Sequence, residues 1–321
     1  MQVFITGATG FIGSAIVAEL LADGHDVLGL ARTDTGAQAL ATAGAQVHRG
    51  DIEDLDGLRR AAAGADGIIH TAFFHGISHP GMSTRLRIVL GGSPRDVMAR
   101  FAAASVGADM RAIETFGSVL EGSGRPLVVA FPTMALSPGR LATEQDAPDP
   151  GSPGAARIPS EEATLALAAR GVRASMVRIP PTVHGDGDAA MIPRLIGTAR
   201  KKRASAYVRD GRNRWPAVHR LDAAHLFTLA LHKGLAGARY HAVAQAGVPM
   251  RAIAEVIADN LSVPVKAIDQ DKAGGHFGWL APFVSADNPV SSALTQQELG
   301  WQPTRPGLLT DLNGPGYFIS A

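Results

Sequence analysis

The chain contains no cysteine. Disulfide bridges, thiolate nucleophiles and Cys-ligated metals are thereby excluded, although the absence does not identify a compartment. Aromatic residues make up only 5% of the 321 positions, and tyrosine occurs three times, at Tyr207, Tyr240 and Tyr317. Neither sign of charge dominates. Thirty basic and 29 acidic residues leave a formal charge of +1, so no bulk pull toward nucleic acid or an anionic membrane surface is expected. There is no run of 18 apolar residues to span a bilayer and no basic-apolar leader ahead of the first apolar segment, which makes the cytoplasm the expected location. The eleven histidines are scattered. His75 and His79 stand four apart, but Ser78-His79-Pro80-Gly81 reads as a turn, so no metal site is expected.

What is present begins at the third residue. Val3 to Ile5 form a short apolar run suited to a strand buried on both faces. Glycines follow at 7, 10 and 13, and apolar residues then recur at Ile12, Ile16, Leu20 and at Val17, Leu21, which is helical spacing. Gly7 permits a tight turn, Gly10 lets the backbone approach a pyrophosphate, and Gly13 lets the helix pack closely on the strand. The helix N-terminus attracts the phosphate charge. Strand, glycine turn and helix together predict a dinucleotide site, although the spacing is G-x-x-G-x-x-G and not the commoner G-x-G-x-x-G.

Strand and helix patterns then alternate. Strands are expected near Val27–Leu30, Gln46–His48, Gly67–His70, Leu127–Phe131 and Ser175–Ile179, with helices at about 36–43, 54–63, 96–121 and 160–170. This is a series of βαβ units, and it predicts an α/β fold with a doubly wound parallel sheet of the Rossmann type. After Pro180-Pro181 the pattern becomes irregular, with helices expected near 191–202, 221–233 and 250–260. Residues 1–180 are read as the nucleotide-binding domain and 181–321 as a smaller α/β substrate lobe interleaved with the sheet. Stretches 146–154 and 303–316 read as loops. Arg200-Lys201-Lys202-Arg203 reads as a solvated helix end favoured by the helix dipole.

These residues resemble the extended short-chain dehydrogenase/reductases, the group that contains nucleotide-sugar epimerases and dehydratases. Thr6-Gly7-Ala8-Thr9-Gly10-Phe11-Ile12-Gly13 is similar to the cofactor loop of that group. Gly50-Asp51-Ile52 is similar to the Asp-hydrophobic pair that reads adenine. His70-Thr71-Ala72 ends the fourth strand where the group lines its cofactor groove. Arg178-Ile179-Pro180-Pro181-Thr182-Val183-His184-Gly185 resembles the segment beside the nicotinamide, and Val218-His219-Arg220-Leu221-Asp222 a motif of the second lobe. The resemblance implies that Gly7, Thr9, Gly10, Phe11, Ile12, Gly13, Asp51, Ile52, Thr71, Ala72 and Pro180 line the cofactor. It also implies that the long helix around 99–120 takes part in a homodimer. Its Phe101, Ile113, Phe116 and Leu120 fit either that interface or a sheet-facing core.

Cofactor choice is read at the end of the second strand. An NAD-selective site places a carboxylate there for the ribose hydroxyls, whereas this chain has Ala31 followed by Arg32. A guanidinium pairs with a 2′-phosphate, so NADP(H) is expected over NAD(H), with Asp34 as the nearby feature that argues the other way.

The chain departs from the group at the catalytic pair. Relatives carry Tyr-x-x-x-Lys; the matching segment here is Arg157-Ile158-Pro159-Ser160-Glu161. Thr133, after Leu127–Pro132, occupies the place of the Ser or Thr that polarises the substrate oxygen. Arginine stays protonated at neutral pH and is no ordinary general acid, but it can stabilise an oxyanion. Glu161 fits a base, an ion-pair partner for Arg157 one turn away, or a surface residue. His75 and His184 are candidate proton donors, each with the alternative of a loop-surface or packing role, and His219 and Asp222 are read as structural. His276-Phe277-Gly278-Trp279-Leu280 fits either a cover over a substrate cleft or an anchor for the core of the small lobe.

Three functions are compatible with these features. The first is an NADP(H)-dependent oxidoreductase acting on a small carbonyl-type substrate with a non-standard proton donor. The others are a non-catalytic NADP(H)-binding sensor and a nucleotide-sugar epimerase or dehydratase.

Overall fold

The computed structural model of the protein describes residues 1–314 and 316–318. Its first strand, β1 (Gln2–Thr6), buries Val3, Phe4 and Ile5 completely, as a strand covered on both faces must. The chain continues through α1 (Phe11–Ala22), β2 (Asp26–Ala31), α2 (Asp34–Thr42), β3 (Gln46–Arg49), α3 (Leu55–Ala63) and β4 (Gly67–His70). Next come α4 (Met82–Leu90), the 24-residue α5 (Val97–Leu120), β5 (Pro126–Pro132), α6 (Ile158–Ala166) and β6 (Arg173–Ile179). Short β7 (Thr182–His184) is followed by α7 (Met191–Lys202), β8 (Ser205–Val208), β9 (Arg214–His219), α8 (Arg220–Lys233) and β10 (Arg239–His241). The remainder comprises β11 (Gln245–Pro249), α9 (Met250–Leu261), β12 (Val265–Ile268), α10 (Ala273–Phe277), α11 (Ala281–Val284), α12 (Ala293–Leu299) and α13 (Leu308–Leu312).

Seven strands form one sheet in the order β10-β6-β5-β4-β1-β2-β3. β1 pairs in parallel with both β2 and β4, and β2–β3 and β4–β5 are parallel too. The order reverses about β1: the chain moves outward through β2 and β3, then crosses to β4 on the other side. That is the doubly wound Rossmann arrangement, in which ligands sit outside the carboxyl ends of the strands at the reversal.

The chain divides into two compact units. One comprises Met1–Phe131, Ala156–Val177 and Ala224–Arg239; the other Pro132–Ala155, Arg178–Ala223 and Tyr240–Ala321. The chain passes between the units repeatedly, and the sequence expectation of an interleaved lobe sets its boundary at residue 180 by the loss of strand-helix alternation. In the second unit β9 lies between β11, antiparallel to it, and β7, parallel to it, and β8 pairs with β12. Fully buried Trp215 anchors this unit's core, its indole N–H donating to the Phe283 carbonyl at 3.0 Å.

Two expectations are corrected here. The stretch 303–316 holds α13, whose Leu308 and Leu312 are wholly buried in the core of the second unit; tertiary burial stabilises a five-residue helix that propensity would not. Pro315, in the same stretch, lies outside the described residues. Trp279 is 58% exposed and so does not anchor that core, which instead takes Phe277 and Leu280 from the same segment. Ile113, Phe116 and Leu120 of α5 are fully buried as sheet-facing core. Among the described residues no helix is long and apolar enough to cross a membrane.

Candidate functional site

The turn between β1 and α1 shows what each glycine does. Gly7 has φ +71°, and a Cβ there would lie 2.5 Å from Thr71 Oγ1. At Gly13 a Cβ would lie 2.0 Å from the Gly7 carbonyl oxygen. Both are therefore required by the chain's own close packing. Gly10 differs: it is exposed, and a Cβ on it would meet only the Gly7 oxygen, at 3.1 Å. Its open face is not consumed by the fold. Gly10 is also the N-cap of α1, which has no side-chain cap and no acidic residue in its first turn. The positive end of α1 is thus presented without a carboxylate to neutralise it, and this fits a diphosphate. Thr9 is exposed beside the turn, and Phe11 and Ile12 are half-buried at the start of α1. Thr71 and Ala72 are held against the turn from β4, Thr71 Oγ1 donating to the Thr6 carbonyl at 2.9 Å.

At the far end of β2, Ala31 is buried and Arg32 exposed. The Arg32 guanidinium donates to the His79 carbonyl in the loop after β4. Arg49, which stands opposite Ala31 in the register of β2 and β3, was not singled out from the sequence. Its Nη2 pairs with Asp34 Oδ1 at 2.6 Å and its Nη1 donates to the Thr33 carbonyl at 2.6 Å. The Asp34 carboxylate is thus engaged by an arginine, while exposed Arg32 bonds the His79 backbone carbonyl. Asp51 accepts the Glu53 amide at 2.8 Å, and Ile52 beneath it is 3% exposed.

Arg157 is the cap residue of α6, at the end of a 3-10 turn. Its Nη2 donates to the Ala130 carbonyl of β5 at 3.0 Å and pairs with Asp109 Oδ2 at 3.2 Å. Its guanidinium also stacks on Phe73, 4.1 Å from the ring centroid. Asp109 continues inward: its Oδ1 lies 3.2 Å from His70 Nε2, and His70 Nδ1 lies 2.6 Å from Thr6 Oγ1. A carboxylate only accepts, so Nε2 carries a proton; in the neutral imidazole Nδ1 then accepts from the Thr6 hydroxyl. A continuous polar chain therefore runs from Arg157 to the residue before the glycine turn. Burial works to raise the Asp109 carboxyl, but the charge of Arg157 and the bonds from His70 outweigh it and hold the group below its usual range. Burial lowers the Arg157 guanidinium, with Asp109 opposing.

Sequence reasoning missed Asp109. A signal was available: Ser105, Asp109, Ala112 and Phe116 lie on the buried stripe of α5, and an acid on such a stripe demands a partner. Glu161 is 1% exposed and pairs with Arg239 at 2.7 Å, so the ion-pair partner of Arg157 is Asp109 and not Glu161. His75 is exposed, its backbone N–H donating to His79 Nδ1 at 3.3 Å, and its ring stands edge-on to Phe73 at 5.4 Å. His75 and Arg157 thus touch the same phenyl ring.

The remaining candidates belong to the second unit. Thr133 is fully buried; its hydroxyl donates to Asn288 Oδ1 at 3.0 Å, and Asn288 Nδ2 donates back to the Thr133 carbonyl at 3.2 Å. His184 is 1% exposed and pairs through Nδ1 with Asp311 at 2.8 Å. Burial lowers its pKa, with Asp311 working against that shift. Pro180 is buried after the end of β6. Asp222 receives the amides of Thr304 and Arg305, each at 3.0 Å, and its carbonyl accepts the Trp301 indole N–H at 2.9 Å. This is a structural role. Among the described residues no cluster suited to a metal ion occurs.

Comparison with known proteins agrees with this architecture. The model of the NAD dependent epimerase/dehydratase family matches residues 3–88. The chain is 47% identical over 320 residues to the uncharacterized protein C2A9.02 of Schizosaccharomyces pombe, covering 99% of this chain and all of that protein. It is 41% identical to YLL056C of Saccharomyces cerevisiae, covering 97% and 98% of the two chains. A more distant relative is the 4-hydroxy-2-methyl-3-oxo-4-farnesyl-3,4-dihydroquinoline-1-oxide ketoreductase of Stigmatella aurantiaca, 26% identical over 297 residues, with 90% and 84% covered. Among solved structures, DesIV, a dTDP-glucose 4,6-dehydratase of Streptomyces venezuelae with NAD bound, shares the fold at TM-score 0.73 and 20% identity, with 98% and 95% covered. MoeE5 with UDP-glucose and NAD does so at TM-score 0.71 and 21% identity, with 97% and 96% covered. On the family-model match over residues 3–88 and the relatives 47% and 41% identical over nearly the whole chain, the chain belongs to the NAD dependent epimerase/dehydratase family.

Proposed function

We propose that the protein is an NADP(H)-dependent oxidoreductase acting on a small carbonyl compound, with Arg157 standing in for the usual tyrosine as the group that receives negative charge on oxygen. The observation that supports it most is the turn after β1, where Gly10 is open and the start of α1 lacks a neutralising carboxylate. Arg32 supports NADP(H) over NAD(H), since Asp34 is already paired with Arg49. The residues for the cofactor are those of the glycine turn with Arg32, Asp51, Ile52, Thr71, Ala72 and Pro180. When bound, the cofactor supplies or accepts a hydride. A carbonyl reduced in this way would place the C=O electron pair on oxygen, which would then need a group to hold the charge and a source of one proton.

The chain's own part is electrostatic. Arg157 stabilises the developing charge and keeps its own proton. The proton comes from solvent through exposed His75, which shares the Phe73 ring with Arg157; a histidine titrates in the required range. Buried His184, held by Asp311, fits that task less well. Thr133 polarises the substrate oxygen only by exchanging its bond to Asn288. Exposed apolar residues Met82, Leu86 and Leu90 along α4 support a homodimer.

One observation favours a second reading, a cofactor-binding sensor: the arginine at the tyrosine position is bound into an ion pair. A nucleotide-sugar epimerase or dehydratase ranks below both, since that chemistry normally uses the missing tyrosine and lysine.

The deciding experiment titrates NADPH and NADH into the purified protein and follows NADPH oxidation against aldehydes, ketones and imines. Turnover on any class is the expected result. Tight NADPH binding without turnover transfers the assignment to the sensor, and no binding of either cofactor overturns both.

A further inference from the structure

The Arg157 guanidinium is under-satisfied for so enclosed a group. Only 14% of its side chain is exposed, and Nη2 makes both of its polar contacts, to Asp109 and to Ala130. Nε is buried without an acceptor among the described residues, and none of them engages Nη1. A guanidinium is a donor-only group with five N–H bonds; the Nε–H is the one left unmade away from water, which is costly, while Nη1 remains available to an incoming acceptor. Its position sharpens the point. Arg157 caps α6, so a cation sits at the positive end of a helix, which is the unfavourable arrangement. The acid in the first turn of α6, Glu161, is neutralised by Arg239, which leaves Asp109 as the carboxylate paired with Arg157. Asp109 is in turn shared with His70.

The carbonyl of Ala130 in β5 and the stacking on Phe73, in the loop after β4, place Arg157 near the carboxyl ends of two adjacent strands of the main sheet. Ligands of open α/β sheets bind at those ends. Asp109 and Ala130 hold one nitrogen and Phe73 holds the plane of the group. The guanidinium is thus fixed in advance, with donors to spare.

We propose that the substrate carries a carboxylate beside its carbonyl, and that Arg157 receives this carboxylate with Asp109 as the positioning residue. An oxo acid supplies what the site lacks, an anionic oxygen acceptor at a fixed cation. The inference rests on the oxidoreductase reading for the carbonyl but not for the carboxylate, so the two are separable by experiment.

The test uses 2-oxo and 3-oxo acids from pyruvate to benzoylformate, each with its methyl ester. Calorimetric titrations are made into the protein alone and into the protein saturated with NADP+, where no hydride is available. At least one acid should bind tenfold or more tightly than its ester. Arg157→Gln should abolish that preference while leaving NADPH affinity within about threefold, and Arg157→Lys should restore part of it, as a point charge without the planar fork. Asp109→Asn should reduce the preference and leave the affinity for the neutral esters unchanged. Equal binding of acids and esters across the series, no binding of any acid, or a preference that survives in Arg157→Gln overturns the proposal. A preference for acids in a protein that never oxidises NADPH would retain the carboxylate site and overturn only the oxidoreductase reading.

Discussion

Arg157 and Asp109 form an ion pair at 3.2 Å in which the acid is 1% exposed and the arginine 14%. The pair sets two fixed charges against each other beside the carboxyl end of β5. Charges so enclosed cost several kcal/mol each to desolvate, repaid only by good geometry and additional hydrogen bonds. Asp109 has one in His70, but its Oδ2 and the Arg157 Nε are both buried without a hydrogen-bond partner among the described residues.

Removing the acid should therefore be expensive. Asp109→Ala leaves a buried guanidinium without a counter-ion and should cost about 3–5 kcal/mol of stability. Asp109→Asn, which keeps the shape and one acceptor, should cost less. Urea unfolding of the two variants checks the order; equal losses would mean that charge alone, and not shape or the remaining acceptor, is at stake.

Cofactor selectivity should follow Arg32. Losing a charge-assisted bond of about 1.5–3 kcal/mol predicts that Arg32→Ala weakens NADPH binding by about ten- to a hundredfold, with NADH binding nearly unchanged. Parallel fluorescence titrations give both constants, and equal loss for the two cofactors removes Arg32 from the 2′-phosphate.

The glycine turn separates packing from binding. Gly13→Ala places a methyl 2.0 Å from a backbone oxygen and should destabilise the fold by about 1–3 kcal/mol. Gly10→Ala meets one atom at 3.1 Å, so its melting temperature should stay close to that of the parent while NADPH affinity falls. Thermal melts with and without NADPH distinguish the two.

Thr133→Val should lower turnover while NADPH affinity stays nearly unchanged. It also strips the buried Asn288 carbonyl of its donor, so a stability loss of about 1–3 kcal/mol should accompany it. Thr133→Ser keeps the hydroxyl and should recover both. Turnover unaltered in Thr133→Val would take the residue out of the mechanism.

Asp188 sets a pH dependence. Burial pushes its carboxyl up to about 6, against hydrogen bonds from the Ala190 amide and the Tyr317 hydroxyl. An acid raised in the folded state binds its proton more tightly there than in the unfolded chain. Its contribution is full below the unfolded value near 4 and is lost as pH rises through about 6. Asp188→Asn should gain stability relative to the parent between pH 4 and 7; denaturant midpoints at pH 4.5 and 7.5 measure the change, and a constant difference would contradict it.

Local rules alone determined much of this protein. A buried run Val3–Ile5, glycines spaced by three and a helical apolar period specified β1, the turn and α1, because each depends on neighbours along the chain. The alternation of strands and helices likewise specified the doubly wound sheet. Arg157 was legible as a candidate residue, but its partners were not. Arg157, Asp109, His70 and Thr6 are separated by 48, 39 and 64 positions, the last two spacings measured directly across the polar chain. No local pattern links them; the parallel pairing of β1 with β4 and the packing of α5 bring them together. The same holds for α13, helical because Leu308 and Leu312 are buried, and for Asp34, which pairs with Arg49 on the adjacent strand. Propensity and spacing act between neighbours in sequence, whereas burial and ion pairing act between neighbours in space, and the site is built from the second kind.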